Sequence, residues 1–325
     1  MSSRRVVIKG LGAAVLGAGA PFVRAQSDLP PMRLFVGLPA GTSTDVAARL
    51  VAEKLHNQTG RAIVVENKAG AGQRLAMGEL RRMAPNGNTL LLATSGPFSI
   101  YPHIYSKLDY DPFKDFTPIA GAAVFDVGIS TGPMTGAKTM PELIAWIRAQ
   151  KGKAAFGSPG NGTLSHFVGI ALSLGLNEPL THVPYKDSNV AVLDVAAGRL
   201  PMHITGMSTT IELHKAGRIH IVAVSGERRS PVLPDLPTLK ENGINVSGTA
   251  TIGLFGPAQM PPPLVAGIAD SFLKSFQGAD IAPRLGIHGI LPQPCGTAEF
   301  AQSLRDEYAR VEVLAKASGY VRADE

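Results

Sequence analysis

The chain holds one cysteine, Cys295, and one tryptophan, Trp146, in 325 residues. A lone cysteine excludes an internal disulfide and a thiolate-bound metal cluster, so an ordinary apolar core has to hold the fold together. Trp146 shares an amphipathic stretch with Leu143 and Ile147 and reads as part of that core. No run is long enough to cross a bilayer as a helix, which takes roughly 20 apolar residues. A basic stripe is also missing. The formal charge is +6, but Arg4, Arg5, Lys9 and Arg24 crowd into the first 25 residues with no acid among them, which leaves +2 for the rest. The compact basic pairs that remain, Arg81-Arg82 and Arg228-Arg229, read as solvated surface, so nucleic acid is not an expected partner. No His and carboxylate group has metal-ligand spacing. Gly70-Ala71-Gly72 lacks the third glycine and the spaced acid of a dinucleotide fingerprint, so no cofactor is expected.

What is present begins with an address. A basic head from Arg4 to Lys9 precedes the uncharged run Gly10 to Ala20, and small residues follow around Ala25. This is the layout of a cleaved export signal over residues 1–25. Arg4-Arg5 followed by Ile8-Lys9 resembles a bacterial twin-arginine signal; an ordinary secretory signal is the alternative. The expected location is the periplasm, with a soluble mature chain.

Beyond the signal, short apolar runs alternate with amphipathic segments, which predicts a parallel α/β arrangement. Strands are expected at Leu34–Val36, Ile63–Val65 and Thr89–Ala93, then from Val124 to Ile129 and at four later runs ending at Val224. Helices are expected from Asp45 to His56, where Val46, Leu50, Val51 and Leu55 share a face, and from Gly70 to Met83. Others are expected at Met140–Gln150, Thr163–Leu174, Asn189–Ala197, Thr210–Ala216, Pro262–Phe276 and Thr297–Ala317. Two strand–helix series in this length suggest two lobes. We place the crossovers near Asp126 and Thr249, so that residues 26–126 and 249–325 form lobe 1 and residues 127–248 form lobe 2.

Three strand-to-helix loops combine glycine with hydroxyl residues: Pro39 to Asp45, Thr94 to Gly96, and Ser158 to Thr163. Ligands of open α/β sheets sit at the carboxyl ends of strands, where helix N-termini offer unpaired N–H groups and a positive dipole end to anions. Ser and Thr add donors, and glycine lets the backbone come close. The same residue types also serve as plain helix caps.

In order along the chain stand Pro39-Ala40-Gly41-Thr42-Ser43-Thr44-Asp45, Val65-Glu66-Asn67-Lys68-Ala69-Gly70-Ala71-Gly72 and Gly87-Asn88-Thr89-Leu90. Asp115 to Ile119, Val183-Pro184-Tyr185-Lys186, and Arg229-Ser230-Pro231 with Leu233 to Thr238 follow. Together these resemble the tricarboxylate-transporter type of periplasmic solute receptor, the Bug receptors. The resemblance implies a two-lobed periplasmic binding protein of the type II fold, each lobe a doubly wound sheet with flanking helices. It implies a monomer that captures a small organic anion, a carboxylate or dicarboxylate and aromatic acids among them, and passes it to the membrane subunits of a tripartite transporter. Carried onto matching positions, the lobe 1 contacts are Gly41, Thr42, Ser43, Thr44, Asp45, Thr94 and Ser95. Those of lobe 2 are Ser158, Asn161, Gly162, Thr163, His166, Tyr185 and Thr205.

The chain departs from that pattern at Thr42, Gln73, Asp187 and Val190, where glycine or proline is usual. It also lacks the acid that often faces the cleft near Thr205, which argues for a ligand without a free amino group. Asp45 reads equally as a first-turn acid, His166 as a hydrogen-bonded structural imidazole, and Tyr185 as core. An exported hydrolase is the rival class, although Gly157-Ser158-Pro159-Gly160 is not a nucleophile elbow and no acid is spaced to orient His166. An effector-binding sensor is the third.

Overall fold

A computed structural model describes residues 30–246, 248–317 and 322. The expected export signal lies outside the described residues. The chain runs β1 (Met32–Val36), α1 (Ser43–Thr59), β2 (Ile63–Asn67), α2 (Arg74–Leu80), β3 (Thr89–Thr94), α3 (Gly96–Ser99), α4 (Tyr101–Ile104) and β4 (Phe116–Thr131). It continues through α5 (Met140–Ala149), β5 (Ala154–Ser158), α6 (Leu164–Leu176), β6 (Leu180–Pro184), α7 (Ser188–Ala196), β7 (Met202–Gly206), α8 (Ile211–Lys215) and β8 (His220–Val224). It closes with β9 (Thr249–Pro257), α9 (Pro262–Lys274), α10 (Ile281–Gly286), β10 (Ile290–Cys295) and α11 (Thr297–Ala317).

Two sheets share β4. From Phe116 to Asp126 it pairs antiparallel with β9, and it pairs with β10 on its other edge. From Val127 to Thr131 it pairs with β7, and from Gly128 onward with β8. The partner change between Asp126 and Val127 separates one half of the strands, β1, β2, β3, β9 and β10, from the other, β5 to β8. The first sheet is ordered β2-β1-β3-β9-β4 and the second extends through β7-β5-β6. The arrangement is therefore mixed rather than parallel throughout. β1 pairs parallel with β2 and β3, and β5 with β6 and β7, as expected, but β9 and β4 are antiparallel to their neighbours. Only the outer strands of each sheet are joined by helical crossovers; β9 is a late return, and a returning strand is free to run either way.

Side-chain alternation sorts the two faces of the first sheet. Leu34, Val36, Leu90 and Leu92 join the cluster containing Leu50 and Val51 of α1 and Phe272 of α9. Phe35, Leu91 and Ala93 face the other way, onto Met77 and Leu80 of α2, Phe98 of α3 and Phe300 and Leu304 of α11. Phe98 stacks on Phe255 at 3.9 Å between centroids. A side chain at Gly253 would meet Phe300 at 1.9 Å, so only glycine lets α11 lie this close to β9. That approach carries Glu307 of α11 to the end of β3, where the site lies.

The helices form for local reasons. Gly60 ends α1 in the left-handed region (φ 69°), returning its N–H to His56 O. Thr139 and Glu142 cap α5 reciprocally, with Pro141 in its first turn. Asn177 ends α6 in the same left-handed way as Gly60 ends α1.

Candidate functional site

A cavity of about 70 Å³ lies between the two halves. Its walls come from the ends of β1, β3 and β7, the middle of β4, the start of β9 and the helices that follow β1, β3 and β5. Thr42, Ser43 and Thr44 open α1 onto it, and Thr163, Leu164 and Ser165 open α6 onto it from the other half. Lys186 and Ser188 do the same at the start of α7. Apolar groups, among them Ile100, Tyr101, Phe125 and Val127, fill the remaining wall.

α1 offers the strongest anion-receiving feature. Its N-cap residue, Thr42, makes no side-chain cap, because its hydroxyl donates to Pro39 O at 2.8 Å instead. Val46 N is the first amide of α1 to bond back, to Thr42 O, so the three amides before it have no helical acceptor. Thr44 lines the cavity and is 1% exposed, and its buried hydroxyl has no hydrogen-bond partner among the described residues. A buried hydroxyl left without a partner costs about 1–3 kcal/mol, which a ligand oxygen would recover. The 17 residues of α1 add their dipole at the same point.

The neighbouring strand end is set by Gln73. Its amide donates to Thr94 Oγ1 at 2.6 Å and accepts from Thr94 N at 3.2 Å. With its oxygen engaged, the Thr94 hydroxyl keeps its proton for the cavity. Next to it, Ser95 Oγ donates to the Glu307 carboxylate at 3.0 Å. Burial raises the pKa of Glu307, against the lowering effect of the Ser95 and Ser99 hydroxyls.

Of the residues expected here, Thr42, Ser43, Thr44, Thr94, Ser95, Thr163 and Thr205 line the cavity. Gly41, Asp45, Ser158, Asn161, Gly162, His166 and Tyr185 do not. Asp45 turns away from it, accepting from Gly41 N at 2.9 Å, Arg49 Nε at 3.0 Å and Asn67 Nδ2 at 2.9 Å. Burial alone would raise its pKa, but those three donors outweigh it and hold the carboxyl below its usual range. His166 accepts from Gly162 N at 3.1 Å and stacks on His182 at 3.9 Å between centroids. Burial, with His182 adding to it, depresses its pKa to about 3, so this imidazole stays neutral and braces the loop. Tyr185 packs on the cluster of Ala191, Val192 and Val195, and its hydroxyl donates to Asp194 at 2.9 Å.

Ser158 is fully buried, with its hydroxyl 2.7 Å from His182 Nε2. That pair would be the start of a nucleophile and base. Neither residue lines the cavity, and among the described residues no carboxylate bonds His182 to orient it. Among the same residues, no group of three or more His, Cys, Asp or Glu could hold a metal ion, and no helix is long and apolar enough to cross a membrane.

The two halves touch around the cavity. Ser43 Oγ donates to Ser208 Oγ at 3.0 Å, Asn189 Nδ2 to Ala40 O at 3.3 Å and Tyr105 OH to Asn161 O at 3.3 Å. Gly162, at φ 74°, presses on Ile104 and Tyr101, and a side chain there would lie 2.0 Å from Ile104 Cδ1. Asn161 and Gly162 thus belong to the seam between the halves.

Sequence reasoning missed Lys186, Ser188, Ser208 and Glu307, all of which line the cavity. Glu307 left a signal: with Phe300, Leu304 and Val311 it occupies the i, i+4, i+7, i+11 stripe of α11. A carboxylate on a stripe that faces the core marks either a buried partner or a site.

Residues 47–320 match the family described as "Tripartite tricarboxylate transporter family receptor". The chain belongs to the tripartite tricarboxylate transporter receptor family. Within it, the "UPF0065 protein in gbd 5'region" of Cupriavidus necator is 29% identical over 313 residues, 95% of either chain. Among solved structures, that of the periplasmic binding protein BugD superposes with a TM-score of 0.85 at 26% identity, covering 90% of this chain and 99% of that one. MatC from Rhodopseudomonas palustris with bound malate superposes at 0.82 and 26% identity, covering 89% and 99%. The α/β periplasmic binding protein fold expected from the sequence is thus the fold of this chain, and its family is one of solute-binding receptors.

Proposed function

We propose that this receptor holds a small organic carboxylate in the cavity between its halves, without turning it over. Its carboxylate would sit on the N-terminus of α1. The observation that carries this reading is an uncapped helix N-terminus whose first residues, Thr42, Ser43 and Thr44, line the cavity, with the buried Thr44 hydroxyl left unpartnered. Hydrogen bonds to a charged group contribute about 1.5–3 kcal/mol each. Three or four give about 4.5–12 kcal/mol before ordering losses, a range that includes the roughly 8 kcal/mol of micromolar binding. MatC, which superposes closely, carries malate.

Direct contacts in this reading are Thr42, Ser43, Thr44, Thr94, Ser95, Thr163 and Thr205; Gly41, Asp45, Ser158, Asn161, Gly162, His166 and Tyr185 shape the loops that present them. The halves open and close as lobes about the crossovers at Asp126 and Thr249, and ligand favours the closed state because both lobes touch it only there. The receptor works in the periplasm as a monomer and delivers its ligand to the membrane subunits of a tripartite carrier.

Thermal-shift and calorimetric titration of the mature chain with mono- and dicarboxylates tests the reading. Binding should stabilise the fold by mass action. Thr44→Val, close in shape, should weaken it about tenfold or more while leaving the unliganded melting temperature unchanged or higher, since valine removes the unpaired hydroxyl. No carboxylate binding at millimolar concentration, or equal affinity in Thr44→Val, would overturn it.

A further inference from the structure

The cavity wall is not uniformly a donor surface. Around α1 and Thr94 it donates, because the first-turn amides have no helical acceptor and the Thr94 oxygen is already engaged by Gln73. Around Ser95 it accepts. The single Ser95 proton goes to Glu307 at 3.0 Å, and the Ser95 amide goes to Thr251 O at 2.8 Å. Ser95 and Glu307 both line the cavity and present lone pairs to it.

A carboxylate is acceptor-only when ionised, so it is matched to the first wall and repelled by the second. A ligand that fills both needs an anionic end and a hydrogen-bond donor. The sequence argued for a ligand without an amino group, because no acid stands near Thr205. Glu307 removes the ground for that argument: it brings a carboxylate into the same cavity from α11, more than a hundred positions later in the chain.

We infer that Glu307 is a specificity-determining residue, which makes the receptor select carboxylates that carry a hydroxyl or amino donor over the plain acids of the same chain length. This rests on the reading of the cavity as a carboxylate site. Burial raises the Glu307 pKa against the Ser95 and Ser99 hydroxyls and the Arg310 charge, and a ligand donor reaching this carboxylate would add to the groups that favour its charged form.

Calorimetric titration with matched sets tests this: propionate, lactate and alanine; succinate, malate and aspartate; glutarate, 2-hydroxyglutarate and glutamate. In the wild-type chain, the donor-bearing members of the set that binds should be about tenfold tighter or more than the plain acid. The hydroxy and amino arms show which donor is preferred. Glu307→Gln keeps the shape and a carbonyl acceptor for Ser95. It should bring that ratio down to about threefold or less while improving the plain acid. If the plain acids bind as tightly as the donor-bearing ones in the wild type, or if Glu307→Gln leaves the ranking intact, the role of Glu307 is wrong and carboxylate binding still stands. If no member of any set binds the wild type, both readings fail. The wild-type ranking decides the matter even if the variant does not fold.

Discussion

The Ser43 hydroxyl, at the start of α1, donates to the Ser208 hydroxyl at 3.0 Å across 165 positions of sequence. It joins the two halves at the edge of the cavity. Such a bond stabilises only the state in which the halves touch, so its loss should appear in closure and not in folding. Ser208→Ala should leave the melting temperature of the unliganded chain within about 1 °C and weaken ligand by about three- to tenfold. A double-mutant cycle with Ser43→Ala should return a coupling of about 0.5–1.5 kcal/mol. Strict additivity would mean that the two hydroxyls act separately on the ligand.

Gly162 sits on the same seam. Alanine there is strained at φ 74° and would also push against Ile104. Folding should lose about 1 kcal/mol from the backbone alone. Ligand affinity should fall much further, because closure brings the seam together. Small-angle scattering should show the variant remaining more open with saturating carboxylate than the wild type; equal compaction would place the seam outside the closing motion.

Asp45 is a structural carboxylate. It is 2% exposed and holds Gly41, Arg49 and Asn67. Asp45→Ala should cost about 2–4 kcal/mol, since it strands buried donors as well as removing bonds. Its folded-state pKa lies below the ordinary 3.8. Its contribution is therefore fully present above about pH 4 and is lost as pH falls through the lower folded value. Urea midpoints from pH 2 to pH 7 should show a steeper acid loss in wild type than in Asp45→Asn.

Asp126 has the opposite sign. Burial raises its pKa from 3.8 to about 6, and it is 6% exposed where β4 changes partners. The folded state binds this proton more tightly than the unfolded state does. Stability from it is present below about pH 4 and falls as pH rises through about 6. Asp126→Asn should raise stability at pH 7.5 by up to about 3 kcal/mol and have little effect at pH 4. A variant less stable at pH 7.5 would show that the charged carboxylate has a stabilising partner.

The Thr44 and Glu307 substitutions complete the set: Thr44→Val reads whether α1 holds the anion, and Glu307→Gln reads which anion is chosen.

Much of the scaffold was legible along the chain. The periodicity of Val46 to Leu55 marks α1, the apolar runs at Leu34, Ile63 and Thr89 mark three parallel strands, and the glycine–hydroxyl loops mark helix starts that open onto one cavity. Local pattern carries that information because it records which side of an element is buried. β4 was legible only near its middle, since Thr117, Pro118 and Gly121 interrupt its first half. Its antiparallel pairing with β9 was not legible at all, because strand direction in a late return leaves no mark on composition.

Within the site, the loops determined that hydroxyls and free amides gather at the strand ends, which is a local matter of helix starts and small residues. Which of those hydroxyls face the cavity was decided by tertiary packing. Asp45 turns inward because Arg49 and Asn67 outbid the cavity for it. His166 and Tyr185 are drawn into the core of their own half. Glu307 reaches Ser95, 212 positions away, only because glycine at position 253 lets α11 settle on β9. The sequence by itself set hydroxyls and free amides at helix N-termini, the groups that receive an anion in the proposed function. The Ser95–Glu307 wall, proposed to choose among such anions, exists only in the folded chain, since it depends on two segments that no local pattern joins.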